Sequence, residues 1–208
     1  MCLDRAGIVG SDGETHQGIF DLSFLRCVPN ITIMAPKDFK EFEDMLELAV
    51  RHEGPIAIRY PRGSEDDVKF NVHKKIQLGK AEKIQEGNDI SIVTIGKTVT
   101  KGMMVADKLK EHNITADVIN CRFLKPIDSS MILHSIKKTG KVAIIEDNTN
   151  IGGLTSCIKE LISENSIENV KIFSFAYPDK FIEHGLIEEL EDKYGLSVEK
   201  ITEKLLKK

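Results

Sequence analysis

Short apolar runs alternate with amphipathic stretches along the chain. Near the start, β-branched runs at 31–34 and 56–60 flank an amphipathic stretch at 38–52. This order predicts a strand, a helix and a second strand, which together form one βαβ unit. Pro36 ends the first strand, and the carboxylate of Asp38 is placed to cap the first turn of the helix.

The same alternation continues after a polar, charged stretch. The runs ISIVTIG, ADVIN, KVAIIED and VKIFSFA alternate with segments of helical periodicity. Strands separated by helices predict parallel pairing through right-handed crossovers, and continuous apolar runs are typical of strands buried on both faces. The predicted fold class is therefore α/β, with a partial α/β unit followed by a doubly wound domain whose sheet is mostly parallel.

The pattern predicts a partial unit at 1–65, a linker at 66–76 and a complete domain at 77–208. The first unit begins abruptly, because Met1 to Leu3 supplies only the end of a strand. We therefore expect a preceding N-terminal part to be missing. A truncated parallel sheet leaves an edge strand unpaired, so we expect the first unit to be the less stable of the two or to recruit a neighbour.

Composition and charge exclude several functions. The formal net charge is -4 and the cationic residues are scattered, so no basic stripe for nucleic acid is present. No apolar run approaches the ~20 residues that span a bilayer, and the start lacks the order of a signal peptide. We expect a cytoplasmic protein. Four cysteines without a CxxC pair argue against a zinc site or a disulfide framework.

Two segments carry candidate chemistry. The first is the glycine-rich DRAGIVGSDGETHQG at 4–18, in which His16 is suited to proton exchange near neutral pH. Spacing alone leaves a solvated connection equally open, and Asp12 is as well suited to organising the turn. The second is RYPRG at 59–63, where Arg62 follows a predicted parallel strand and offers a fork that matches phosphate. A surface arginine paired with a carboxylate at 65–67 is the alternative.

A third segment, Glu146 to Asn148, ends a predicted strand beside the Gly152 and Gly153 pair. This arrangement is compatible with an anion site at a helix N-terminus. A purely structural role is the alternative that we favour.

These motifs together resemble one known family. DRAG, DGxTHQG, MAP and RYPRG, followed by RFLKPID, IIEDN and PDKFIEHG, occur in the order found in 1-deoxy-D-xylulose-5-phosphate synthases of the transketolase superfamily. The resemblance covers nearly the whole chain. It identifies 1–65 as the end of a pyrimidine-binding domain and 77–208 as a transketolase C-terminal-like domain.

The resemblance implies a reaction that depends on thiamine diphosphate. Pyruvate loses carbon dioxide, and the remaining two-carbon unit is added to glyceraldehyde 3-phosphate, on the route to isoprenoids. Arg5 and Arg62 match the arginines that hold the acceptor's phosphate. Asp12 and His16 match residues that line the reacting centre, and they are the predicted catalytic residues.

The same resemblance implies that the residues that bind the cofactor lie outside this chain. In this family an N-terminal domain with a GDG motif holds the diphosphate and its Mg²⁺, and a glutamate upstream activates the pyrimidine ring. No part of this chain matches them. We therefore expect the isolated chain to bind no cofactor and to be inactive until it meets the missing N-terminal part, in a homodimer.

Three alternatives remain at this stage. One is the C-terminal half of another transketolase-like enzyme, and a second is the β subunit of a 2-oxo acid dehydrogenase. The third is a non-catalytic dimerisation module.

Overall fold

The computed structural model describes residues 1–64, 70 and 74–207, so most of the predicted linker lies outside the described residues. The strands, in chain order, are β1 Cys2–Leu3, β2 Thr32–Met34, β3 Ile56–Arg59, β4 Glu82–Gln85, β5 Ile90–Thr94, β6 Ala116–Asn120, β7 Phe123–Lys125, β8 Lys141–Thr149 and β9 Lys171–Tyr177. The helices are α1 Asp21–Arg26, α2 Phe39–Arg51, α3 Thr98–Glu111, α4 Ser129–Thr139, α5 Leu154–Glu164, α6 Ile187–Lys193 and α7 Val198–Leu206.

The larger sheet has the order β4-β6-β5-β8-β9. Its strands pair in parallel except β4, which runs antiparallel to β6 at the edge. Successive side chains of β5 point to opposite faces: Ile92 joins the core beneath α3 and α7, whereas Val93 joins the core beneath α4 and α5. Both faces are covered by helices. The predicted α/β class, with a doubly wound and mostly parallel second sheet, is confirmed.

The smaller sheet has the order β1-β3-β2-β7 and combines two distant parts of the chain. Its first three strands are parallel, whereas β7 joins the edge of β2 in antiparallel orientation, with Met34 opposite Phe123. The sequence pattern predicted no strand at 123–125. The edge of β2 is therefore paired within the chain, and β1 lies at the opposite edge of this sheet.

A buried ion cluster joins the two sheets, and we call it the Lys37 cluster. Its members are Lys37, Glu41, Glu82 and Arg122, and Asp38 lies 3.7 Å from Lys37 Nζ at its edge. Lys37 Nζ contacts Glu41 at 3.1 Å and Glu82 at 2.9 Å, and Arg122 contacts the same two carboxylates at 2.6 and 3.0 Å. Burial lowers the pKa of Lys37, but the carboxylates outweigh it and the pKa lies above its ordinary value.

Apolar packing also runs between the two sheets. Leu22 and Leu25 of α1 and Ile33 of β2 share one core with Ile144 of β8 and Ile158 of α5. Helix α1, which follows the glycine-rich loop, is the element that fills this space. Among the described residues, no helix is long and apolar enough to cross a membrane.

Candidate functional site

Two parallel strands bring the predicted arginines to one edge of the smaller sheet. Leu3 of β1 pairs with Arg59 of β3, so the residues that follow each strand leave the sheet side by side. The backbone amide of Ala6 donates to the carbonyl of Tyr60 at 3.0 Å and continues this alignment. Arg5, with a φ of 58°, turns the chain away into the loop. Arg5 and Arg62 therefore approach each other.

The two arginines converge on one oxygen of Asp12. Arg62 Nη1 lies 2.5 Å from Asp12 Oδ2, and Arg5 Nε lies 3.3 Å from the same atom. The hydrogen bond from Arg62 is the main cause of a pKa for Asp12 below its ordinary value. Three of the four predicted site residues are thus brought together. The carboxylates at 65–67, the alternative partners of Arg62, lie outside the described residues.

His16 lies on the same loop, in a short 3₁₀ turn at Glu14–His16. Its Nδ1 is 3.0 Å from Thr15 Oγ1, and the side chain is exposed. Within the described part of the chain, its ring makes no hydrogen bond to Arg5, Asp12 or Arg62. The structure therefore places His16 beside the group without joining it.

The loop is closed at its base by two glycines. Gly7 and Gly18 exchange backbone hydrogen bonds of 2.9 and 2.8 Å. A Cβ on Gly18 would lie 2.1 Å from the carbonyl oxygen of Arg5, so no side chain fits there. Gly7 has a φ of +76°, and a Cβ on it would meet Asp147 Oδ2 at 2.9 Å. Both positions require glycine because the backbone approaches its neighbours so closely.

A second buried ion cluster lies directly under this base, and we call it the Arg59 cluster. Its members are Arg59, Asp21 and Asp147. Arg59 contacts Asp21 at 2.8 Å and Asp147 at 2.5 Å, and its Nη2 donates to the carbonyl of Gly18 at 2.8 Å. Sequence analysis selected Arg62 in RYPRG and missed Arg59, which is 1% exposed.

Burial and the charges of the Arg59 cluster shift the pKa values of Arg59 and Asp21. Burial would lower the pKa of Arg59, but Asp147 and Asp21 outweigh it and raise the pKa above its ordinary value. Burial also raises the pKa of Asp21, against the opposing effect of Arg59. Asp147 Oδ2 is buried and has no hydrogen-bond partner in the part of the chain that the structure describes.

The outer side of the loop rests on residues 178–186 of the C-terminal region. The amide of Gly185 donates to the carbonyl of Gly10 at 3.2 Å, and the ring of Phe181 packs edge-on against Phe20 at 5.6 Å. The PDKFIEHG and DRAGIVGSDGETHQG motifs are therefore neighbours in space. The C-terminal region thus supports the loop from below and from the side.

The third predicted segment is structural. The carboxylate of Glu146 accepts hydrogen bonds of 2.8 Å from the amides of Leu154 and Thr155, at the start of α5. A Cβ on Gly153 would lie 2.2 Å from Glu146 Oε2. The helix N-terminus is therefore already filled by a side chain of the protein, as the structural alternative predicted.

A site for a divalent cation requires several side-chain ligands close together. In the ranges 1–64, 70 and 74–207, no group of three His, Cys, Asp or Glu side chains is placed to hold a metal ion. The described residues do not fit the Mg²⁺ that accompanies thiamine diphosphate in the resembled family.

Comparison with known proteins defines the class. Residues 1–65 match the transketolase pyrimidine-binding domain, and residues 79–201 match the transketolase C-terminal domain. The chain belongs to the transketolase family.

The relatives are more specific. Over 208 residues the chain is 49% identical to the 1-deoxy-D-xylulose-5-phosphate synthase of Clostridium perfringens strain SM101, covering 99% of the chain and 33% of that protein. It is 46% identical to the synthase of Desulforudis audaxviator over 202 residues, covering 97% of the chain and 32% of that protein. The predicted resemblance is confirmed. The chain spans about a third of the length of these curated relatives.

Solved structures agree on the fold. A structure described as a split-gene transketolase, inactive β4 tetramer, superposes with a TM-score of 0.87 at 28% identity, covering 99% of this chain and 65% of that one. Transketolase from Campylobacter jejuni superposes with a TM-score of 0.77 at 21% identity, covering 100% of this chain and 31% of that one, and this match supports the fold alone.

Proposed function

We propose that the chain is the C-terminal part of a thiamine-diphosphate-dependent 1-deoxy-D-xylulose-5-phosphate synthase. The enzyme would join pyruvate to glyceraldehyde 3-phosphate with release of carbon dioxide, and its product would feed isoprenoid synthesis. The observation that carries the proposal is the convergence of Arg5 and Arg62 on one edge of the smaller sheet, in a chain so similar to these synthases.

The two arginines are proposed to hold the phosphate of the acceptor. Asp12 contacts one nitrogen of each guanidinium group, and Asp4 accepts a hydrogen bond from Arg5 Nη1 at 3.1 Å. Each group still carries further N–H donors in a planar fork. Arg62 has a side chain that is 57% exposed, so an incoming phosphate can reach it. Two carboxylates, Asp12 and Asp4, balance the two cations, so directed N–H donors in planar forks would bind the phosphate rather than an excess of positive charge.

Asp12 and His16 are proposed as the catalytic residues. The guanidinium groups keep Asp12 ionised, so it accepts hydrogen bonds and would orient the hydroxyl groups of the substrate. His16 has an exposed ring on the same loop, and imidazole donates and accepts protons near neutral pH. It would assist proton transfer at the reacting carbon.

The isolated chain is proposed to be inactive and to need the remaining part of the enzyme. The diphosphate and Mg²⁺ would be held by that part, and the assembled enzyme is proposed to be a cytoplasmic homodimer. A similar chain, of the split-gene transketolase, is described as an inactive β4 tetramer. That precedent supports a part that folds and associates without turnover.

Reconstitution tests the proposal. The chain is mixed with the N-terminal part, about two thirds, of the Clostridium perfringens relative, together with thiamine diphosphate, Mg²⁺, pyruvate and glyceraldehyde 3-phosphate. We expect carbon dioxide and 1-deoxy-D-xylulose 5-phosphate from the mixture and neither from each part alone. A matched mixture with Arg62→Ala should need far more glyceraldehyde 3-phosphate.

Two results would contradict the proposal. Turnover or micromolar cofactor binding by the isolated chain would show that the cofactor site had been misplaced. An assembled but inactive complex would favour the assembly module instead.

A further inference from the structure

Support for the candidate loop comes from the C-terminal region as well as from its own unit. We propose that Asp147 is a positioning residue for the loop at 4–18: it aims the guanidinium of Arg59 at Gly18 and thereby fixes Arg5 relative to Arg62. The proposal that this positioning serves phosphate binding rests on the function proposed above.

The first step runs from Asp147 to the guanidinium group. Asp147 Oδ1 accepts from Arg59 Nη1 at 2.5 Å, and the backbone carbonyl of Asp147 accepts from Nη2 at 3.2 Å. Asp21 accepts from Nε at 2.8 Å on the other side. The planar fork is therefore held at all three nitrogens and cannot rotate.

The second step runs from the guanidinium group to the loop. Nη2 of Arg59 donates to the carbonyl of Gly18 at 2.8 Å, and the same carbonyl accepts the amide of Gly7 at 2.9 Å. The two ends of the loop thus share one acceptor that Arg59 holds in place. Gly18 in turn packs against the carbonyl of Arg5 so closely that a Cβ would overlap it.

A direct contact adds to this indirect one. The second carboxylate oxygen of Asp147 lies under Gly7, near enough to exclude any side chain there, and it is buried without a hydrogen-bond partner. Asp147 therefore touches both ends of the loop, through Arg59 at Gly18 and by contact at Gly7. A carboxylate required for fastening alone would be expected to have both oxygens satisfied.

The Lys37 cluster provides the matched control. Glu82, like Asp147, is a buried carboxylate of the C-terminal region that pairs with cations of the two regions, Lys37 and Arg122. Among the described residues, its ion-pair partners are Lys37 and Arg122, and neither lies on the loop at 4–18. Glu82→Gln therefore removes a buried interdomain charge without removing contacts to the loop base.

The test compares Asp147→Asn with Glu82→Gln in the 208-residue chain. Asparagine keeps an acceptor for Arg59 and loses the charge. Hydrogen exchange at the loop amides should accelerate about tenfold or more in Asp147→Asn, while β5 and β6 keep their protection. Titration with inorganic phosphate, followed through the Nε resonances of Arg5 and Arg62, should show about tenfold weaker binding. Glu82→Gln should change neither measurement.

A second variant keeps the proposal testable if Asp147→Asn does not fold. Arg59→Lys keeps a cation but lacks the fork that bonds Asp147 and Gly18 together, so it should loosen the loop in the same way. Unchanged loop exchange in both variants would overturn the proposal, as would equal loosening by Glu82→Gln. If the unmodified chain fails to bind phosphate, the phosphate role of the arginines fails, while loop exchange still decides the positioning role.

Discussion

The two buried ion clusters join the same two sheets but differ in the number of their cations. The Lys37 cluster contains two cations, each of which contacts both Glu41 and Glu82, and Asp38 lies 3.7 Å from Lys37. The Arg59 cluster contains one cation and two carboxylates, and among the described residues Asp147 Oδ2 has no hydrogen-bond partner. A second cation keeps buried acids paired when the first is removed, which matters because unpaired charge is costly to bury. The single cation of the Arg59 cluster also donates to the backbone of the candidate loop, at the carbonyl of Gly18.

The largest expected effect comes from removing the central cation. Arg59→Leu leaves Asp21 and Asp147 buried without a cation, so it should cost about 3–5 kcal/mol of unfolding free energy. Arg122→Leu should cost less, because Lys37 still contacts both acids of its cluster. Urea unfolding of the two variants measures the difference. Equal losses would mean that the second cation does not distinguish the clusters.

The exposed Arg62 should affect substrate affinity strongly and stability little, unlike the buried Arg59. In the reconstituted enzyme, Arg62→Ala should raise the Michaelis constant for glyceraldehyde 3-phosphate roughly ten- to hundredfold, since a charge-assisted bond contributes about 1.5–3 kcal/mol. The constant for pyruvate should be unchanged. Stability should change little, because the pair with Asp12 is exposed to water. Equal shifts for both substrates would exclude Arg62 as a phosphate ligand.

A steric change at the loop base should destabilise the chain less than Arg59→Leu does. Gly18→Ala forces a Cβ against the carbonyl of Arg5 and should cost about 1–3 kcal/mol by overpacking. Gly140→Ala is the control, since its φ is +66° and its Cβ would meet no atom within 4 Å. Its cost of about 1–2 kcal/mol comes from backbone strain alone. Gly18→Ala should accelerate hydrogen exchange in the loop, whereas Gly140→Ala should not.

The smallest effect concerns acid stability at the outer side of the loop. Hydrogen bonds from Lys193 and Tyr194 lower the pKa of Glu183 from 4.5 to about 2. This contribution to stability is present above pH 4.5 and is lost as the pH falls towards 2. Glu183→Gln should therefore lower the melting temperature at pH 7 and converge with the unmodified chain near pH 2. Glu188→Gln, in the exposed first turn of α6, is the control for a change of net charge.

Much of the fold could be predicted because it depends on local patterns. The helix predicted at 38–52 is α2, and Asp38 caps it by accepting the amide of Glu41 at 2.7 Å. The strand predicted at 141–147 is β8, which continues to Thr149. Strand β7 escaped prediction because three residues are too few to show a period, and its partner lies far away in sequence.

The candidate site also contains residues that local motifs predict and one that they do not. The four predicted residues lie on or beside one loop, and their roles remain predictions. Arg59 escaped because its partner Asp147 is 88 positions away, a separation that no local pattern reveals. One signal was present in IAIR at 56–59: a cation that ends a buried apolar run needs a buried partner.

The pairing of β7 with the distant strand β2 has a consequence for synthesis on the ribosome. Met34 pairs with Phe123, so the smaller sheet waits for 89 further residues (123 minus 34) before its last strand emerges. At about 5–20 residues per second this interval is roughly 4–18 seconds. During that time the edge of β2 is open to pairing with other nascent chains. The folding of the smaller sheet is therefore completed only after the C-terminal region has begun to form.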